Sequence, residues 1–259
     1  MIELYHALHS TCSQKVRICL HEKNLSWTSR LVALDRKEQL SDWYLALNPN
    51  GVVPTLVHDG RPVVDSSVIC EYLDEQFPQV PLTPATPLGR ARMRAWMRYV
   101  EEVPTSAVRV PSFNGAFLAR FKGLDEQAFR REQADVRPLR KHFYRRMGPN
   151  GFPLADVEAS VEQLTRTVDR MDADLAPGGP WLLGSQYTLA DIVVAPLIDR
   201  IADLGLDELW RDGRRPAFAG WFARMQARPA FCLAFPKGAR LTEFLPVVPV
   251  RQLLQPVTP

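Results

Sequence analysis

Strand signals stop at a proline-rich bridge, and this break constrains the fold more than any other feature of the chain. The stretch Pro78-Gln79-Val80-Pro81-Leu82-Thr83-Pro84-Ala85-Thr86-Pro87 continues neither helix nor sheet. Each proline lacks an N–H donor and biases the residue before it away from the helical region. Before the bridge, apolar residues alternate or gather in short β-branched runs; from Gly89 onward they recur every three or four positions. In a chain of 259 residues this predicts two domains. Residues 1–78 are read as mixed α/β, 79–88 as a linker and 89–259 as all-helical.

The first part reads as β-α-β, then a β-hairpin, then a helix. Ile2-Glu3-Leu4-Tyr5-His6 alternates as a short strand does, Val16, Cys19 and Leu20 mark a helix from about Ser13 to Lys23, and Trp27 to Leu34 is a second strand. Val52 to His58 and Pro62 to Val64 flank Asp59-Gly60, a strong two-residue hairpin signal. Val68, Ile69, Tyr72, Leu73 and Phe77 then form a helical stripe. In the second part, Met93, Trp96, Met97 and Val100 form one stripe and Val157, Val161, Leu164, Val168 and Met171 another; Leu189 to Leu204 is more continuously apolar, as a buried central helix is.

A net charge of +3 is too small to indicate nucleic acid or a membrane surface as partner. Met1-Ile2-Glu3-Leu4-Tyr5 has neither a basic nor an apolar leader region, and no apolar run approaches the ~20 residues that span a bilayer, so a cytoplasmic protein is expected. Cysteines 12, 19, 70 and 232 include no C-x-x-C pair, which argues against zinc and against a dithiol redox couple. Cys19, Cys70 and Cys232 read as small core residues. Cys12 stands apart.

Cys12 belongs to Ser10-Thr11-Cys12-Ser13, four hydroxyl or thiol side chains between a strand and a helix. Two readings fit: helix caps, or an anion site in which small donors join the unpaired N–H groups of a helix N-terminus. Pro54, at the head of a strand, is either an edge proline or the second residue of a cis Val53–Pro54 bond that turns the Val53 backbone toward a ligand. Asp65-Ser66 opens the next helix as a cap or as a carboxylate site, and Lys37 and Gln39 lie on a polar loop suited to a second carboxylate.

Together these residues resemble the glutathione transferase superfamily over nearly the whole chain. Ser10-Thr11-Cys12-Ser13-Gln14-Lys15-Val16-Arg17 is similar to the active-site run of the zeta class and its bacterial relatives. Asn48-Pro49…Val53-Pro54…Leu56 and Asp65-Ser66 resemble class-wide signatures, and Leu183-Gly184-Ser185…Thr188-Leu189-Ala190-Asp191 resembles the folding motif of the helical domain, with Thr188 and Asp191 as its capping box. Trp221 and Arg228-Pro229-Ala230 resemble its close. Ser41-Asp42-Trp43-Tyr44, His58-Asp59-Gly60 and Ser67 to Leu73 are most similar to bacterial β-aryl etherases.

The resemblance implies a thioredoxin-like N-terminal domain, an all-helical C-terminal domain and a homodimer. It implies glutathione lying extended, its cysteinyl backbone on Val53 and Pro54, its γ-glutamyl end at Asp65 and Ser66, its glycine carboxylate near Gln39 and its thiol beside the loop that holds Thr11. Ser10, Cys12 and Ser13 each match a position used in catalysis by some branch. A hydroxyl bonded to the thiolate contributes roughly 1.5–3 kcal/mol, enough with a helix N-terminus to bring a thiol from ~8.5 to about 7. Ether-cleaving relatives displace a phenol α to a ketone, whereas Cys12 matches isomerases and reductive dehalogenases that can form a mixed disulfide. The implied function is attack of the thiolate on an aromatic or α-activated electrophile; the alternatives are Cys12 chemistry and a non-catalytic glutathione-binding module. Phe113, Phe117, Phe121, Phe129, Phe143 and Tyr144 are candidates for an aromatic pocket, and the interleaved Arg120, Lys122, Arg130, Arg131, Arg137, Arg140, Lys141, Arg145 and Arg146 are read mostly as a solvated basic face.

Overall fold

The computed structural model describes residues 1–255, so the end of the predicted C-terminal domain, 256–259, lies outside the described residues. Strand β1 (Ile2–His6), helix α1 (Thr11–Glu22) and strand β2 (Thr28–Leu31) form a unit in which the two strands pair in parallel. The second strand is shorter than Trp27 to Leu34 because the chain turns into a 3-10 helix at Leu34–Arg36. After α2 (Asp42–Leu47) come β3 (Thr55–His58) and β4 (Arg61–Val64), joined through Asp59 and Gly60, both at positive φ. The sheet order is β2-β1-β3-β4, with Leu4 opposite Leu56 and both fully buried. Helix α3 (Ser66–Gln76) closes the domain, which has the thioredoxin-like arrangement.

The bridge is clamped rather than loose. Lys23 Nζ lies 2.7 Å from both Asp74 Oδ1 and the Val80 carbonyl, and Asp74 Oδ1 accepts the Leu82 N–H at 2.9 Å. Helix α4 (Pro87–Glu102) starts two residues inside the expected linker, because Thr86 caps it by accepting the Gly89 N–H. Short helices α5 (Pro104–Ala107), α6 (Arg109–Ser112), α7 (Glu126–Phe129) and α8 (Lys141–Met147) follow, with π-helical turns at Phe113–Phe117 and Arg130–Ala134.

Helices α9 (Leu154–Leu175) and α10 (Leu189–Asp203) make the core of the second half, completed by α11 (Glu208–Arg211), α12 (Pro216–Gln226), α13 (Pro229–Ala234) and α14 (Val250–Leu253). The buried Asp191 carboxylate starts α10, accepting from the Thr188 N–H, the Leu182 N–H and Trp221 Nε1 at 2.9–3.0 Å. Burial pushes this carboxyl up to about 6 despite those donors. Cys19 and Cys70 are core residues as expected, but Cys232 is exposed on α13, whose buried face is formed by Ala230, Phe231 and Ala234. No described helix is long and apolar enough to cross a membrane.

Candidate active site

The loop between β1 and α1 is held from three directions by side chains that donate to main-chain carbonyls. Arg17 Nη2 lies 2.8 Å from the Leu8 carbonyl and 2.7 Å from that of Ala234. Gln14 Nε2 lies 2.8 Å from the Ala239 carbonyl, and Arg200 Nη2 2.6 Å from that of His9. The loop therefore sits in a fixed position between the two halves.

Ser10 is the N-cap of α1, and its Oγ accepts the Ser13 N–H at 3.3 Å. That bond uses a lone pair and leaves the hydroxyl proton free to donate. Thr11 and Cys12 occupy the first helical turn, where N–H groups lack an intrahelical acceptor. Ser10, Thr11 and Cys12 line a cavity of about 320 Å³, in the usual range for a small-molecule site. Gln39 and Val53 line it as well, and the Val53–Pro54 bond is cis. Gln39 is buried and its Oε1 has no hydrogen-bond partner among the described residues, as expected where a ligand completes the bonding.

The other expected site residues lie elsewhere. Ser13 is fully buried, and its Oγ accepts the Ala7 N–H at 3.4 Å, so it fixes the loop from behind. Asp65 caps α3, accepting from the N–H groups of Ser67 and Val68, and Ser66 is buried beside it. Neither these two nor Pro54 line the main cavity. Thr55 pairs with Val64, which brings Pro54 next to Asp65.

Phe113, Phe117, Phe121, Phe143 and Tyr144 form the far wall. Phe129 instead fills a separate small core with Met147 and Phe152. Of the basic residues read as a solvated face, Arg130, Arg131, Arg145 and Arg146 do lie outside, paired with Glu126, Glu132, Asp135 and Asp156. Arg120, Arg137 and Arg140 instead line the cavity, joined by Arg109 and Arg200. His9 also lines it. Burial first, then the nearby Arg200 and Arg120, bring its imidazole down to about 4, so it is neutral at neutral pH. A larger outer depression of about 480 Å³, bordered by Asn114, Pro149 and Val248, has Lys122 as its only ionisable side chain among the described residues and offers no comparable chemistry. The tail from Leu241 borders that depression and sets the Phe244 ring 5.1 Å from His9.

The profile of the glutathione S-transferase N-terminal domain matches residues 9–76, and that of the C-terminal domain matches 155–224. The chain belongs to the glutathione S-transferase family. Protein LigF of Sphingobium sp. (strain NBRC 103272 / SYK-6) is 30% identical over 244 residues, 92% of this transferase and 95% of that protein. The crystal structure of that beta-etherase matches with a TM-score of 0.80 at 29% identity, covering 90% of this chain and 98% of the other. A probable maleylacetoacetate isomerase of Caenorhabditis elegans is 32% identical over 210 residues, 79% of this transferase and 96% of its own length. Glutathione is the family's thiol co-substrate. In this transferase Arg109, Arg120, Arg137 and Arg140 all fall between the two matched segments.

Proposed function

We propose that the cavity binds glutathione, holds its thiol as the thiolate beside Ser10 and presents it to an aromatic or α-activated electrophile, β-aryl ether cleavage being the most specific form. The observation that carries this reading is the Ser10 hydroxyl. Its oxygen is engaged by the Ser13 N–H and its proton is available at the wall of a cavity that Val53 also lines, next to a helix N-terminus. Glutathione supplies a thiolate that forms a carbon–sulfur bond as the bond to the leaving group breaks, that group departing with the electron pair and taking up the proton lost from the thiol. The protein's part is to stabilise negative charge on sulfur and to orient the peptide. Val53 offers its main chain, the Gln39 side-chain NH2 and Lys37 can donate to the glycine carboxylate while the unpartnered Gln39 Oε1 is free to accept a peptide N–H, and Asp65 and Ser66 suit the γ-glutamyl end. The likeness to the beta-etherase LigF supports the ether-cleaving form, and the phenylalanine wall suits an aryl substrate.

The test is turnover of a chloronitroarene and of a β-aryl ether ketone, together with glutathione binding by calorimetry. Tight binding without turnover of either substrate overturns the reading. A second reading has its own support: Cys12 lines the cavity, and an isomerase is among the relatives. There Cys12 would serve a glutathione-dependent isomerase, or, in a reductive dehalogenase, its thiolate would attack the sulfur of a glutathione–substrate conjugate, the sulfur–sulfur bond forming as the carbon–sulfur bond breaks and the substrate carbon leaving with the electron pair to take up a proton. A homodimer, N-terminal domain against C-terminal domain, completes the proposal.

A further inference from the structure

The segment between the two family domains sorts its arginines. On its outer side Arg130, Arg131, Arg145 and Arg146 each meet a carboxylate within 3.0 Å. On its inner side Arg109, Arg120, Arg137 and Arg140 line the cavity, and none has a carboxylate within 4.0 Å among the described residues. Arg137 is only 8% exposed; it stacks on the Tyr144 ring at 3.9 Å and donates to the Gln133 carbonyl. Arg120 lies 5.0 Å from the Phe117 ring centre. Burial, then the nearby Arg109, brings Arg140 down to about 10, still charged at neutral pH, and Cys12 is among the groups that it faces. Among the described residues Asp35 is the only acid on the cavity wall. Glu101 acts on Arg109 and Arg140 from a distance but is already engaged by Lys15. Arg137 is buried and Arg109 and Arg140 are half-buried, and planar carboxylates are the best partners for such partly desolvated guanidinium groups.

Glutathione does not account for all of this charge. Its glycine carboxylate falls to Gln39, Lys37 and the nearby Arg137, and its γ-glutamyl end to the opposite side. Arg109, Arg120 and Arg140 remain; Arg120 is exposed, whereas Arg109 and Arg140 are half-buried on the helical half next to the aromatic wall. Resting on the proposed function, we infer that the electrophile is an aromatic compound bearing a carboxylate, bound by Arg140 and Arg109 while its ring lies against Phe113 and Phe117. These residues set substrate choice in a stretch that the family domains do not cover.

The experiment compares 4-chloro-3,5-dinitrobenzoate with 4-chloro-3,5-dinitrobenzamide, each rate divided by that of the uncatalysed reaction with glutathione. Calorimetry of S-(4-carboxybenzyl)glutathione and S-(4-carbamoylbenzyl)glutathione gives a second readout without chemistry. The wild type is expected to prefer the carboxylate member of each pair by about tenfold or more, the preference shrinking as salt is added. In Arg140→Gln and Arg109→Gln the ratio is expected to fall toward one. Equal handling of both members by the wild type overturns this inference and leaves the proposed function standing. Failure to bind either conjugate or consume either substrate removes both. An Arg140→Gln protein with the preference intact but a raised pKa of bound glutathione assigns that arginine to the thiolate and also overturns the inference. The wild-type comparison decides the matter even if a variant fails to fold.

Discussion

Lys15 Nζ lies 2.5 Å from Glu101 Oε1, an ion pair that joins α1, directly behind the site loop, to the end of α4. Lys15 is fully buried, and Ser67 at the start of α3 donates to the same carboxylate oxygen at 2.6 Å. Three elements from both halves thus converge on one atom. Burial alone would raise the Glu101 carboxyl, but Lys15 and the Ser67 hydroxyl more than reverse this and hold it below its usual value.

Replacing Lys15 by Met leaves that carboxylate without its counter-charge and is expected to cost about 3 kcal/mol, measured by urea unfolding. The folded carboxyl titrates below its unfolded value of ~4.3, so the pair's stabilisation is complete above that pH. It is lost as the pH falls through the lower, folded value. Lys15→Met should therefore lower the plateau of the stability curve and flatten its acid limb, the loss vanishing once the carboxyl is protonated; an unchanged plateau would refute the assignment.

Ser10→Ala removes the hydroxyl proton expected to face the thiolate. The pKa of bound glutathione should rise by about one, and turnover near neutral pH should drop about tenfold, the loss narrowing under alkaline conditions. Ultraviolet absorbance of the bound thiolate reads the first effect and initial rates the second. A variant with unaltered thiolate absorbance would show that the helix N-terminus acts alone.

Cys12→Ala separates the two enzyme readings. With thiolate addition, conjugation is expected to stay within about fivefold of wild type, a change of under ~1 kcal/mol in the barrier. Mass spectrometry after incubation with oxidised glutathione or with an isomerisable or halogenated substrate checks the alternative. A glutathione adduct on Cys12 that forms during turnover and whose loss abolishes activity would establish covalent chemistry.

Acid should destabilise the protein through two imidazoles. Burial and Arg17 bring His6 down to about 4, and burial with Arg200 brings His9 to about 4. An unfolded imidazole titrates near ~6.5, so below that pH the unfolded chain binds more protons than the folded one. Stability is full above ~6.5 and falls as the pH approaches the folded values. Urea midpoints measured along this range should fall steadily, and His6→Gln or His9→Gln should flatten the slope. In rate profiles His9 stays neutral, so a step near the free-imidazole pKa that His9→Gln removes would contradict its burial.

Much of this was legible because local chemistry and tertiary context agree. Asp59-Gly60 can adopt the positive φ that a two-residue hairpin needs, and Thr188 with Asp191 starts the buried helix as a capping box. Other features had no local sign. Ser13 resembled its neighbours in type, yet its place in the first turn of α1 aims it into the core, where it meets the Ala7 N–H. The inward arginines were the largest omission. Helical periodicity sorts faces only while the helix is regular, and the segment from Arg109 to Met147 breaks into short helices and π turns that reset the phase repeatedly.

The clamp on the site loop has a consequence for divergence. Gln14, Arg17 and Arg200 reach it or its neighbours through carbonyls of Leu8, His9, Ala234 and Ala239, atoms that every amino acid carries. Side chains at those four positions can drift without loosening the loop. The wall proposed to meet the electrophile comes from a separate stretch, between the two matched family segments. Selection can therefore rewrite what such an enzyme attacks while leaving intact what it attacks with.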